Sequence, residues 1–449
     1  MKNIFVLTTA ILFSGISLLG QGIFESLTTS DEKNEEKPSI NLGGYVRGSA
    51  YGGSEYYDYS NLFGEFALQG SLKKGKTFFY GEVRFIDGLF YNERESFVDL
   101  TEAYAGYQSD RFSAYIGNQI VSWGRTDGFN PTNNITPVDY FFLTSDNDDQ
   151  LLSNFLLRTK INLTPSIELD LIAIPFFKES VYRYDLFSIS EQAAFVDAKP
   201  IDKTFKNSSI AARLNFELPA AGFSLSYFRG YDPFYGIKIN SIQLFPSVRI
   251  NYIPDFYLKN TIGGDFAIPI KQTILRGEAA LNITENYKNQ MHIPNPDVSY
   301  VFGIERNIFG YIAIVQYVGK FTLDYKELTT PILTDPNNQA ELMQYAYDMI
   351  NYESEMVNRR IFNQQEQTNH AIMLIINKSF AYDLLDARMT GYSNFTTEEY
   401  LIRPEISYKL TDELSLSAGS HLMFGPEESM FNYSGKVLNG GFISLKASF

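Results

Sequence analysis

The sequence predicts an all-β fold: a transmembrane antiparallel β-barrel of about 16–18 strands with long external loops and one loop helix. Three observations predict it. The chain closes on the alternating stretch Gly441 to Phe449, an apolar run follows the N-terminus, and the composition is ring-rich without a second apolar run of helical-span length. In the closing stretch Gly441, Ile443, Leu445, Ala447 and Phe449 share one face, and Ser444, Lys446 and Ser448 share the other. A strand has a side-chain period of two, so one face meets apolar material and the other meets water. A soluble sandwich strand alternates equally well, and the N-terminal run decides against it.

The elements follow in chain order. Lys2 precedes the uncharged run Ile4 to Leu19, and Gly20-Gln21-Gly22 supplies small residues at a cleavage point. This is the pattern of a secretory signal, and it divides the chain into signal peptide 1–22, polar periplasmic leader 23–40 and outer-membrane barrel 41–449. The leader concentrates acid at Asp31, Glu32, Glu35 and Glu36 and has few apolar residues with which to pack as a plug. There is no cysteine, so neither a lipid anchor after the signal nor a disulfide is expected. With 31 Tyr, 37 Phe and one Trp, the ring content suits strands carrying aromatic girdles. The formal charge of -15 has the wrong sign for nucleic acid.

Beyond residue 40, short turn-like breaks alternate with longer polar insertions. The breaks fall at 74–76, 109–111, 164–166, 219–222, 269–272, 307–310, 381–383 and 411–413. The longer connections fall near 51–60, 88–96, 120–150, 178–206, 231–255, 284–297, 321–367, 395–399 and 424–436. Eight turns and nine loops imply eighteen strands with both termini on the periplasmic side, provided that Ile242 to Ile253 belongs to an external excursion. A barrel of that size leaves an aqueous lumen unless loops fill it.

Charged residues inside strands mark the lumen face. Glu82 and Arg84 alternate with Val83 and Phe85; Arg158 and Lys160 alternate with Leu157 and Ile161; Arg276 and Glu278 alternate with Leu275 and Ala279. A basic residue facing lipid at mid-depth would cost about 2–4 kcal/mol, which directs these groups inward. The expected lining is Arg47, Arg84, Arg158, Lys160, Arg213, Arg276 and Arg403, set against Glu82, Glu102, Glu278, Glu305 and Glu405. Such residues either meet polar solutes or pair across neighbouring strands to hold the wall. The excess acid in the leader and loops suggests a modest cation preference.

Alternation breaks in the stretch Gly117 to Asn133, where the single Trp stands. Gly117-Asn118-Gln119, then Trp123-Gly124, then Asp127-Gly128-Phe129-Asn130-Pro131 resembles an uncharacterised family of porin-like Gram-negative outer-membrane proteins. The resemblance implies a barrel rather than a particular substrate. Folded inward, this loop would form a constriction in which Trp123 wedges against the wall while Arg125, Asp127 and Asn130 meet a solute. Folded outward, the same residues would cap strand ends.

A second long insertion carries Leu342, Ala346, Met349, Ile350, Met356, Val357 and Ile361 at helical spacing after Asp335-Pro336-Asn337. It is expected to be an amphipathic helix, either packing on its own loop, covering the pore mouth or contacting lipopolysaccharide or a partner. The three histidines form no catalytic constellation: adjacent Ser420 and His421 point to opposite faces of a strand. No metal cluster or phosphate-binding glycine loop stands out, and no enzyme activity or cofactor is expected. The functional expectation is a channel in the cell outer membrane for passive diffusion or uptake of small polar or organic solutes. Its partners would be outer-membrane lipid with a lipopolysaccharide-type leaflet, and the barrel-insertion machinery acting through the terminal strand. A homo-oligomer would add one more apolar patch to an apolar exterior. The second class is a structural or adhesive surface barrel without transport, favoured by the share of chain in tyrosine-rich loops.

Overall fold

The computed structural model describes residues 38–187 and 192–449. The signal peptide and the leader as far as residue 37 lie outside the described residues. The wall begins with β1 (Ser39–Gly52), β2 (Tyr59–Lys74), β3 (Thr77–Phe90), β4 (Glu93–Gln108), β5 (Phe112–Gln119), β6 (Asn154–Thr164) and β7 (Ile167–Ile174). The chain leaves the wall for β8 (Ala193–Phe195), returns in β9 (Ser209–Leu218) and β10 (Ala221–Tyr231), and leaves again for β11 (Gly236–Gln243) and β12 (Arg249–Asp255). The remaining wall strands are β13 (Leu258–Ile270), β14 (Thr273–Thr284), β15 (Asp297–Ile308), β16 (Tyr311–Thr322), β17 (Thr368–Phe380), β18 (Leu385–Asn394), β19 (Glu399–Lys409), β20 (Leu414–Phe424) and β21 (Gly440–Ser448). Together these make one 18-stranded sheet.

The sheet closes on itself. β21 pairs antiparallel with β1 from Tyr45↔Ser448 to Gly52↔Gly441. Beyond the last strand residue, Gly44 and Phe449 exchange backbone hydrogen bonds of 3.1 and 3.0 Å. Closure leaves no row of unpaired N–H and C=O groups, which a lipid-embedded sheet requires. The alternation read from the sequence sets the two faces: Ile443 and Leu445 are exposed on the outside while Phe442 and Ser444 are buried inside. The same division runs round the ring, with Phe85, Leu157, Ile262 and Ile406 exposed and Glu82, Asp170, Asp265 and Glu278 buried.

All eight tight turns fall where the sequence puts them, on one rim. On the opposite rim one connection is much shorter than expected. β3 and β4 extend to Phe90 and Glu93, and a two-residue turn joins them. Its residues, Tyr91 and Asn92, both have positive φ (50° and 69°), the geometry whose twist matches a hairpin. The excursion containing Ile242 to Ile253 is itself ordered: β11 pairs antiparallel with β12, and β12 pairs parallel with β8, in a three-stranded sheet outside the wall.

Two helices complete this outer cap. α1 (Gln339–Ile361) starts after Asn338, whose side chain accepts hydrogen bonds from the backbone of Ala340 and Glu341. The cap is thus one residue beyond the Asp335-Pro336-Asn337 sequence. Its docking is also more polar than the apolar spacing suggests. Leu342 remains exposed, while the buried Asn358 exchanges 2.8 Å hydrogen bonds with the backbone N–H and C=O of Ile237. α2 (Met430–Leu438) was not anticipated; Ser429 caps it, and Val437 and Leu438 are buried. A core of Tyr51, Phe63, Phe90, Phe141, Tyr184, Tyr235, Phe256 and Phe442 with other apolar residues unites strand ends, loop and cap.

Candidate functional site

The connection between β5 and β6 makes contact with wall strands on every side of the ring. Asp149 accepts from Arg47 of β1 (2.5 Å) and from Arg84 of β3 (2.8 Å). Trp123 donates its indole N–H to Asp170 of β7 at 3.3 Å. Arg125 reaches Asn215 and Glu217 of β9 and Asp265 of β13. Glu278 of β14 accepts from the backbone of Arg125 and Thr126 (2.5 and 2.7 Å). Phe129 lies against Tyr392 of β18, and Arg403 of β19 donates to the backbone oxygens of Thr144 and Ser145 and to the side chain of Asn147. A segment that touches so many strands of a closed ring from their buried faces lies within it.

Local chemistry explains how the segment is held. Gly124 and Gly128 adopt φ of +112° and +94°, and a Cβ on Gly124 would sit 2.5 Å from Glu278 Oε1. The chain therefore turns tightly enough for one carboxylate to gather several donors. Thr126 Oγ and Thr132 Oγ also donate to Glu278, at 2.7 and 3.0 Å. Trp123 is buried with Val121, Ile135, Leu156, Ile172 and Phe228, so it wedges the loop against the β6–β10 side of the wall.

Most of the charges expected to line the lumen are paired. Arg47 bridges Glu65 and Asp149, and Arg84 bridges Glu82 and Asp149. Burial opposes ionisation of Asp149, but the guanidinium groups of Arg47 and Arg84 outweigh it and hold its carboxyl below the ordinary value. Arg158 pairs with Asp170 at 2.6 Å and Lys160 with Glu168 at 3.0 Å. Arg213 shares Asp265 with Arg125, and Arg276 joins Glu305 at 2.6 Å with Asp127 at 3.7 Å. Burial raises the Asp127 carboxyl above its ordinary value despite Arg276. Glu102 accepts from the backbone of Ile120 at 2.8 Å, and Glu405 lies 3.7 Å from Arg403. The Asn130 amide rests 2.9 Å from Thr126 Oγ.

Between the loop and the wall from β17 round to β1 lies a cavity of about 960 Å³. Of the expected residues, Arg47, Arg403, Glu405 and Asn130 border it. Trp123, Arg125 and Asp127 are not among its lining residues; they belong to the attachments of the loop. Arg388, Asp146, Asp148 and Tyr392 also border the cavity and were not singled out, as does Lys446, which the sequence puts on the water face of the terminal strand. Arg388 was findable, since it alternates with Ala387 and Met389. Asp146 and Asp148 carry no such signal, because a loop has no fixed period.

No family model matches the chain, and no curated protein matches it. Among solved structures, OccAB2 of Acinetobacter baumannii is similar at 9% identity, with 93% of this chain and 99% of that one covered and a TM-score of 0.52. The outer membrane protein opdK of Pseudomonas aeruginosa is similar at 8% identity, covering 92% and 98%, with a TM-score of 0.51. OccK2 (OpdF) of P. aeruginosa, solved in complex with glucuronate, is similar at 10% identity, covering 92% and 97%, with a TM-score of 0.51. The likeness is one of fold. It spans the ring of strands and extends over nearly the full length of each chain.

Proposed function

We propose that the protein is an outer-membrane channel for passive diffusion or uptake of small polar or organic solutes. The observation that carries this reading is the loop that crosses the ring yet leaves the cavity of about 960 Å³ against one side of the wall. Solutes pass along that side, off the axis, past the acidic loop residues Asp146 and Asp148 and the basic wall residues Arg388 and Lys446. Charges of both signs along one passage orient dipolar solutes and favour small polar ones. The apolar exterior seats the ring in lipid, and Phe309, Tyr311, Phe380, Tyr382 and Tyr408, exposed beside the tight turns, form an interfacial girdle at that rim. The tight-turn rim faces the periplasm, and the cap faces outward.

In this reading residues 1–22 are removed on export, which the mass of the mature N-terminal peptide checks. Planar bilayers test the channel itself. The purified full-length mature protein should give discrete conductance steps, and a protein that inserts but remains electrically silent would refute the proposal in favour of a structural or adhesive barrel.

A further inference from the structure

The off-axis cavity carries a feature that ion pairing does not use. Three rings follow one another from its outer mouth towards the loop: Phe431 at the start of α2, Tyr392 on β18 and Phe129 in the turn held by Glu278. Their centroids are spaced 5.9 and 5.2 Å apart. None of the three belongs to the buried aromatic core that unites cap and wall, and Phe129 is 37% exposed. They pack on one another at the cavity instead.

The charges around the same space nearly balance. Arg47, Lys259, Arg388, Arg403 and Lys446 border it together with Asp146, Asp148, Asp232 and Glu405. Lys259 is already paired with Asp232 at 2.7 Å, and Arg47 with Glu65 and Asp149. The field is transverse rather than of one sign, so it does not select a net charge. Asn133, Asp146 and Asp148 line the same cavity and offer amide and carboxylate groups to hydroxyls. A run of rings and short polar side chains bordering one cavity match a solute with an apolar ring face and a hydroxylated edge.

We infer that the solute favoured by this channel is a neutral sugar, conducted inward by its ring faces along Phe431, Tyr392 and Phe129. The inference rests on the channel reading above. It is tested in planar bilayers with the full-length mature protein, using maltose as the neutral sugar, glucuronate as an acid, glucosamine as a base and benzoate as an apolar ring. Maltose should interrupt the ion current saturably and at lower concentration than the other three. Tyr392→Ala or Phe129→Ala should weaken that block by about two- to tenfold, the loss expected for one ring contact, and Tyr392→Phe should retain it. Stronger block by glucuronate, glucosamine or benzoate overturns the inference, as do alanine variants that block like the parent. Should those variants fail to fold, the parent's ranking of the four solutes decides. Ion conductance without maltose block overturns the inference and leaves the channel reading standing; absence of conductance overturns both.

Discussion

Replacing Glu278 with alanine should free the β5–β6 loop without opening the wall. One carboxylate oxygen accepts from the backbone of Arg125 and Thr126 and from Thr126 Oγ, and the other accepts from Thr132 Oγ. Glu278 is 4% exposed, so these bonds form largely away from water. A hydrogen bond to a charged group contributes about 1.5–3 kcal/mol, and four would sum to more than any real variant loses. Lumen water re-solvates the donors once the turn loosens, so about two bonds' worth, roughly 3–5 kcal/mol, is the expected cost. That raises the population of displaced loop by about two orders of magnitude or more. Single-channel recording should show a larger mean conductance with added current noise, while protease should cut near Gly128 faster than in the parent. The heat resistance of the folded barrel on gels should change little, because the β13–β14–β15 ladders use backbone groups only. Parent-like conductance, noise and cleavage in a correctly folded Glu278→Ala protein would refute the argument.

Arg125→Ala leaves Glu217 without a cationic partner and Asp265 with Arg213 alone; the reversal potential in a salt gradient should shift towards cation preference. Arg125→Lys should not restore the parent value, since an ammonium cannot span the same forked set of acceptors. In the cap, the hydrogen bond from His292 to Asp255, helped by Lys238, holds that carboxyl down to about 2 against an ordinary 3.8. A depressed carboxyl stabilises the folded cap above about pH 4, and the contribution is lost as pH falls through about 2. Protection of β11 and β12 against hydrogen exchange, referred to the intrinsic rate at each pH, should therefore fall over that interval in the parent and vary less with pH in Asp255→Asn. Phe449→Ala removes a ring 6.1 Å from Phe66 but keeps the backbone pairing with Gly44; stability should fall by about 1 kcal/mol or less, and melting should register only a small shift. A larger fall in assembly yield than in stability would show that the ring is read by the insertion machinery.

Strand count and turn positions were legible because both derive from local rules: alternation every second residue, and Gly, Pro, Asp or Asn at breaks. Even the ordered excursion at β11 and β12 left the count intact, since its hairpin pairs with β8 rather than with the wall. The connection at Tyr91-Asn92 was misjudged because polar residues such as Asp87, Glu93 and Glu95 look loop-like in sequence, although they sit on strands that continue beyond the apolar belt. Lumen charges were readable as inward, yet their partners were read only in part. Glu65 and Asp265 obey the same alternation and could have been added; Asp149 could not, as its role depends on where a long loop returns. Arg125 and Asp127 were expected to meet solute, and their ion pairs with Glu217, Asp265 and Arg276 also give them a part in holding the loop. Nothing in their spacing distinguishes those roles, which only the distant strands β9, β13 and β14 decide.

The ionic contacts of the β5–β6 loop have a mechanical consequence. A thin cylinder of strands resists axial load well but flattens readily into an ellipse under lateral pressure, because that deformation needs only small changes of angle between neighbours. The loop ties β1 and β3 through Asp149 to β9, β13 and β14 through Arg125 and Glu278. It therefore works as a cross-member that fixes the diameter between those strands, so that in the channel reading the width of the passage is set by the protein rather than by the tension of the surrounding membrane.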